Sequence, residues 1–351
     1  MIHAKASEAC STLAAATLLL AAGQAASEPG GRGTGEFLGG VETTYPAWFK
    51  SSFLEFADDV ADAAEQGKRV IIFFHQDGCP YCNALVERNL SQKHIEEKIR
   101  ANFDVVALNL RGDREVVSVA GESFTEKSFA RALNVQFTPT LLFLDEQGRK
   151  VLRLNGYVPP PEFEAALDYV AERKEDEIDY REYLSRRVSG RQGGELNQAA
   201  FFAESPYDLA AAGRRGKPLA VFFEQRHCPN CDTLHADVLG EPETGALLES
   251  FYAVQLDMWS DEPLVTPSGA RMSAREWAGA LDVRYAPTII VFTPEGEEII
   301  RGEAYLKRFH TQTLLDYAAS GAYREEADFQ RFLTERADDI RARGEDVNIW
   351  Q

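Results

Sequence analysis

Two cysteine pairs of identical spacing, Cys79-Pro80-Tyr81-Cys82 and Cys228-Pro229-Asn230-Cys231, carry the chemistry this sequence is equipped for. A stabilising disulfide closes a long loop, whereas a ring closed across two intervening residues adds little stability, so these pairs are for exchange rather than stapling. Each pair follows a continuous apolar run, Val70–Phe74 or Leu219–Phe223, as expected of a strand covered on both faces. Each precedes a helical pattern, Asn83–Leu90 or Asp232–Leu239. A cysteine at that turn faces the free N–H groups and partial positive charge of a helix start, which favour thiolate over thiol. The second cysteine, one turn along, is placed to attack a mixed disulfide and release the partner. Pro80 and Pro229 fall where a missing N–H costs nothing.

A second signal is a proline opening a strand: Thr138-Pro139 before Leu141–Leu144, and Ala286-Pro287 before Ile289–Phe292. Proline is normally kept out of sheets, so these positions suggest a special turn, with a cis peptide that brings the chain beside the cysteines. The two signals belong to a tandem repeat. Phe73-Phe74-His75-Gln76 matches Phe222-Phe223-Glu224-Gln225, Ala132–Val135 matches Ala280–Val283, and Arg153 and Tyr157 match Arg301 and Tyr305. A unit this long is a whole domain with its own core rather than a solenoid repeat. Between the landmarks each copy shows a second strand (Val105–Leu110, Ala253–Met258), a helix (Glu126–Leu133, Ala274–Leu281), a hairpin turn (Gln147-Gly148, Glu295-Gly296) and a closing helix (Glu162–Arg173, Thr311–Ala319). That order is α/β with a mixed sheet flanked by helices. Pro159–Pro161 read as the start of a closing helix, and Glu172–Arg187 as a solvated helix docked lightly on its own domain, with Glu177/Arg181 and Glu182/Arg186 at pairing distance.

With 351 residues, 44% hydrophobic and 26% charged, the chain suits two soluble domains. No apolar run reaches the ~18 residues of a membrane span, so an integral membrane protein is excluded. A net charge of −19 repels a phosphate backbone and argues against nucleic acid. Lys5, the apolar Leu13–Ala22 and the small Gly23 and Ala25 read as a secretory signal peptide, whose removal takes Cys10 with it. The expected layout is a signal peptide over 1–25, a flexible Gly-rich leader over 26–44, a first domain over 45–188, a linker over 189–196 and a second domain over 197–351.

Both copies resemble the thioredoxin family over nearly their full length. FFHQDGCPYC, FFEQRHCPNC, LNLRGDREV and TPTLLFLDEQGRKVLRLNGY are similar more narrowly to periplasmic thioredoxin-related proteins of sulfur oxidation, the SoxW-like type. The resemblance implies tandem thioredoxin-like domains, attacking thiols at Cys79 and Cys228 and resolving thiols at Cys82 and Cys231. It implies cis-prolines at Pro139 and Pro287 that, with Thr138 and Ala286, present the substrate segment. It implies no metal or flavin, disulfides of exported proteins as clients, and a membrane thiol-electron transporter as donor.

The sequence also departs from the family. Thioredoxins carry a buried carboxylate six residues before the first cysteine, where Phe73 and Phe222 stand here. His75 and Glu224, four residues before, are candidate proton-transfer groups or ordinary strand-end surface residues, and a protonated His227 would lower the pKa of Cys228. His94 and His235 show no acidic or cysteine partner at ligand spacing, and Trp48, Trp259, Trp277 and Trp350 read as core or domain-edge packing. The leading expectation is a periplasmic thiol-disulfide oxidoreductase, predominantly a reductase. Its alternatives are a disulfide oxidase or isomerase, a zinc module sharing four cysteines, and a redox-inert adaptor on the same scaffold.

Overall fold

A computed structural model describes residues 33–188 and 194–351. The expected signal peptide and most of the expected linker lie outside the described residues. Strand β1 (Phe37–Leu38) precedes the first α/β unit, which runs α1 (Phe56–Glu65), β2 (Arg69–His75), α2 (Pro80–Leu85), α3 (Lys93–Asn102), β3 (Phe103–Asn109), β4 (Glu115–Val117), β5 (Ser123–Thr125), α4 (Glu126–Ala132), β6 (Thr140–Leu144), β7 (Lys150–Asn155), α5 (Pro160–Ala171) and α6 (Tyr180–Val188). The second unit repeats this as β8 (Tyr207–Asp208), α7 (Leu209–Gly213), β9 (Leu219–Glu224), α8 (Pro229–Leu234), α9 (Pro242–Leu248), β10 (Tyr252–Asp257), β11 (Pro263–Val265), β12 (Arg271–Ser273), α10 (Ala274–Ala280), β13 (Thr288–Phe292), β14 (Glu298–Glu303), α11 (Arg308–Ala319) and α12 (Phe329–Ala342). Strand β15 (Val347–Asn348) is the last element.

Each unit is built on a four-stranded mixed sheet, β3-β2-β6-β7 and β10-β9-β13-β14, parallel in its first pair and antiparallel thereafter. The apolar runs are the strands that precede the cysteines, and their alternation feeds two cores. Ile71 and Phe73 meet the cysteine helix through Cys79, Cys82 and Leu85, while Val70, Ile72 and Phe74 meet Phe56 and Phe129. In the second unit Ala220 and Phe222 face Leu234 and Val238, and Val221 and Phe223 face Trp277. The mixed α/β sheets flanked by helices are those the pattern predicted.

Three local expectations change. The cysteine helices begin at Pro80 and Pro229 rather than three residues later, because Cys79 and Cys228 serve as their caps, and each runs on into a wider π turn, Val86–Leu90 and His235–Leu239. The Gly-rich leader is not free over its described part. Phe37–Leu38 pairs in parallel with Val347–Asn348, Gly35 N–H donates to Arg341 O at 2.8 Å and Val41 N–H to Gly78 O at 3.2 Å. Its partners lie at the far end of the chain, where no local periodicity points.

Nor is Glu172–Arg187 one solvated helix. It breaks around a short 3-10 turn at Lys174–Asp176, Tyr180 and Leu184 are buried in the first core, and Glu177 pairs with Lys174. Arg181 leaves its expected partner and crosses to the second unit, where its guanidinium donates to the carbonyls of Val283 and Met258 and lies 4.4 Å from the Trp259 ring. Burial drives its pKa down to about 10. A paired carboxylate fails to hold it because desolvated carbonyls lie within reach and satisfy the fork of donors better than a solvated glutamate does.

The two units pack through a pseudo-twofold exchange. Tyr285 O–H donates to Asn155 O, Asn155 N–H donates to Tyr285 Oη at 3.0 Å, and Arg284 Nη1 donates to Arg153 O at 2.9 Å. Phe137, the first-unit match of Tyr285, packs 5.1 Å from Phe329, and Gln330 Nε2 donates to Gln136 O at 2.6 Å. Gly156, at φ +78, lies against the second unit: a Cβ there would stand 2.8 Å from Glu303 O.

Candidate active sites

Each cysteine pair caps the helix it starts. Cys79 Sγ accepts from Cys82 N–H at 3.0 Å and Cys228 Sγ from Cys231 N–H at 3.1 Å, and both pairs stand at disulfide-bonding distance. A free backbone N–H aimed at the first sulfur stabilises it as a thiolate when the disulfide opens. The peptide bonds before Pro139 and Pro287 are cis. Thr138 O–H donates to Cys79 Sγ at 3.3 Å, so the first proline loop lies directly on its cysteine. Ala286 has no hydroxyl to offer; it lines the same cavity as Cys228. Among the described residues no cluster of three or more His, Cys, Asp or Glu side chains is arranged to hold a metal.

The three candidate modulators occupy different settings. Glu224 is not a strand-end surface residue: it is fully buried, takes Gln255 Nε2 at 3.1 Å and faces His235 Nε2 at 2.8 Å. His235 thus has an acidic partner that the spacing did not reveal, since eleven residues separate the two across a strand-to-helix turn. His94 is near Glu164, at 3.7 Å on the surface. His75, in the matching position of the first unit, lies half-buried with its ring 4.4 Å from Tyr45, and Val86 stands where the second unit has His235. Burial, opposed in part by Asp77, lowers the His75 pKa. His227 is exposed, at φ +53, beside the Cys228 cavity.

What sequence reasoning missed is the neighbour at each site. All four residues of the first motif are buried, with Tyr81 at 6%. Its hydroxyl accepts Lys307 N–H at 2.9 Å and lies 3.4 Å from His310 Nδ1, and its ring meets Trp350 edge to face at 5.2 Å. Burial raises the Tyr81 pKa and lowers that of His310 to about 4. In the second motif Pro229 is exposed and Asn230 half-buried. Beside it lies a cavity of about 370 Å³ whose other wall, Tyr157–Glu162 and Leu184, belongs to the first unit. The signal was present as the differences Tyr81 against Asn230 and Lys307 against Pro159, but their meaning depends on the packing of two domains.

Paired cysteines that cap helices after buried central strands, each beside a proline loop, define a protein of dithiol-disulfide exchange. The comparisons agree: the model of the thioredoxin-like domain matches twice, over residues 56–171 and 206–319, and the chain belongs to that family as a tandem thiol-disulfide oxidoreductase. Solved structures similar to it include a thioredoxin-fold protein from Helicobacter pylori (21% identity, 39% of this chain and 92% of that one, TM-score 0.32). A thioredoxin from Thermus thermophilus is also similar (23% identity, 39% and 87%, TM-score 0.28). So is the C-terminal domain of DsbD from Neisseria meningitidis in its reduced form (14% identity, 31% and 88%, TM-score 0.25). No curated protein matches the chain.

Proposed function

We propose that this protein is a periplasmic oxidoreductase working predominantly as a reductase of disulfides in exported proteins, those of sulfur oxidation or cytochrome c maturation among them. The observation that carries the chemistry is the N–H of each second cysteine donated to the first sulfur at a helix start. In the working direction the first thiolate attacks a client disulfide, whose S–S bond breaks as a mixed disulfide forms and one client sulfur leaves to take a proton. The second cysteine then gives up its proton and attacks the first sulfur. The client departs with two thiols, and the protein keeps the disulfide and the client's oxidising equivalents. A dithiol donor must reset the pair, and a membrane thiol-electron transporter fits that role. Thr138, Pro139, Ala286 and Pro287 are the proposed client-presenting loops. The SoxW-like motifs support both the reductive direction and the compartment, and the N-terminal signal pattern supports export. Among the described residues no helix is long and apolar enough to cross a membrane.

The test is the redox state in the cell, by acid quenching, thiol alkylation and mass spectrometry, with each pair scored separately. A dithiol at Cys228 and Cys231 in an oxidising compartment is the expected result. Disulfides at both pairs in active protein would replace the reductase by an oxidase, which runs the same steps backwards.

A further inference from the structure

The two domains cover each other's motifs unequally, and the differences say what the open one accepts. Over the first motif the turn before α11 supplies Lys307 N–H and the first turn of α11 supplies His310, and the recess between the domains is filled by Tyr81. The matching turn before α5 faces the second motif, but Pro159 replaces Lys307 and has no N–H to give. Asn230 replaces Tyr81, so the ring that fills the first recess is missing from the second. What remains is the cavity of about 370 Å³ shared by Cys228, Asn230 and Trp259 with Tyr157, Pro159 and Pro161. Its size is at the low end of the about 300–1,000 Å³ of small-ligand sites, room for one large side chain and its flanking backbone.

We propose that this cavity receives a large apolar side chain, phenylalanine or leucine, that neighbours the attacked cysteine of a client held as an extended segment. The first domain is then the specificity wall for the second domain's chemistry. The occupant is apolar because Tyr157, Val158, Pro159, Pro161, Leu184 and Trp259 make up much of the lining, and Pro159 lacks the N–H that satisfies the Tyr81 hydroxyl in the first recess. Cys228, which carries the attacking sulfur, is one of the cavity's lining residues, which ties any occupant to the reaction. This inference rests on the oxidoreductase reading for its client.

The test uses the full chain, pre-reduced, and two symmetric peptide disulfides in which each cysteine is preceded by phenylalanine or by serine. Single-turnover oxidation is scored at Cys228–Cys231 by mass spectrometry. The phenylalanine peptide should react roughly tenfold faster, the usual scale of discrimination in an apolar pocket. Tyr157→Ala and the exposed Pro161→Glu should each reduce the ratio of the two rates below about threefold, a ratio that cancels any change in intrinsic thiol reactivity. A wild-type ratio near one, or a ratio that both variants leave intact, overturns the proposal.

A redox-inert phenylalanine-serine peptide, titrated into the oxidised protein by amide chemical shift, separates the two readings. Binding at Trp259 and Tyr157 without any exchange would keep the cavity and sink the oxidoreductase. Exchange with neither preference nor binding would do the reverse.

Discussion

Acid should uncover the first cysteine pair through His310, which has no counterpart over the second. His310 is 9% exposed, wedged against the Tyr81 ring with centroids 5.1 Å apart, and the groups facing it are the Tyr81 hydroxyl at 3.4 Å and its neighbour Phe309. Nothing there compensates a positive charge, and burial alone takes its pKa from 6.5 down to about 4. The docked imidazole is therefore neutral, whereas an undocked one takes a proton near its ordinary value. A depressed histidine contributes fully above pH 6.5 and loses that contribution as the pH falls toward 4. Between pH 7 and pH 5 the loss is about 2 kcal/mol, or roughly 20-fold in the equilibrium that lifts the second domain off Tyr81.

The assay is a time course of reduction by a phosphine at both pH values, acid-quenched, with the two disulfides counted separately by mass spectrometry. The ratio of first-pair to second-pair rates should rise by the same roughly 20-fold, because only the first pair lies under His310. His310→Phe, which keeps a ring and removes the titration, should flatten the profile. A ratio that moves less than twofold, or that moves equally in His310→Phe, would refute the reasoning.

Three further outcomes are expected. Tyr81→Asn, which copies the second motif into the first, should bring the reduction rate of Cys79–Cys82 at pH 7 close to that of Cys228–Cys231; a first pair that stays slow would mean that something other than the tyrosine covers it. Removing either partner of the buried pair, by Glu224→Ala or His235→Ala, should cost about 2–4 kcal/mol in chemical denaturation, and the double variant should cost at least about 1 kcal/mol less than their sum. Strict additivity would show the 2.8 Å contact to be energetically idle. Arg181→Ala should lower stability by about 2–4 kcal/mol, since it strands two carbonyls of the other domain and gives up the Trp259 ring, and Arg181→Lys should not restore it. Full rescue by lysine would reduce the contact to charge alone.

Most of the fold was legible because its signals are local. A five-residue apolar run, a cysteine at its end and a helical pattern after it imply a strand-to-helix turn without reference to the rest of the chain, and the repeat doubles the evidence. The prolines before β6 and β13 were legible for the same reason. Contacts between the copies were not. Arg181 looked like half of an ordinary helical ion pair and instead bonds carbonyls of the other domain. Phe37–Leu38 looked like leader and pairs with the last strand. Glu224 and His235 sit on different elements, and only the closed sheet-helix layer shows that they meet.

The same distinction explains how a duplication yields two unlike sites. Tandem copies joined about a pseudo-twofold axis present each motif with an equivalent turn of the neighbour, so equal sequences would have given two equally covered motifs. A few positions break the equality: Tyr81 against Asn230, Lys307 against Pro159, His310 against Glu162 and Thr138 against Ala286. Tyr81, Asn230, His310 and Glu162 sit in the first turns of α2, α8, α11 and α5, and the others just before β6, β13, α5 and α11, so each could change without disturbing the central strands. Together with Trp350 they cover the first pair with one hydroxyl bonded to a backbone N–H, one neutral histidine and one tryptophan edge. Contacts of that kind are worth a few kcal/mol together, well below the stability of a domain. The first site is therefore covered by a contact that can open while both domains stay folded, whereas Cys228 of the second lines a cavity.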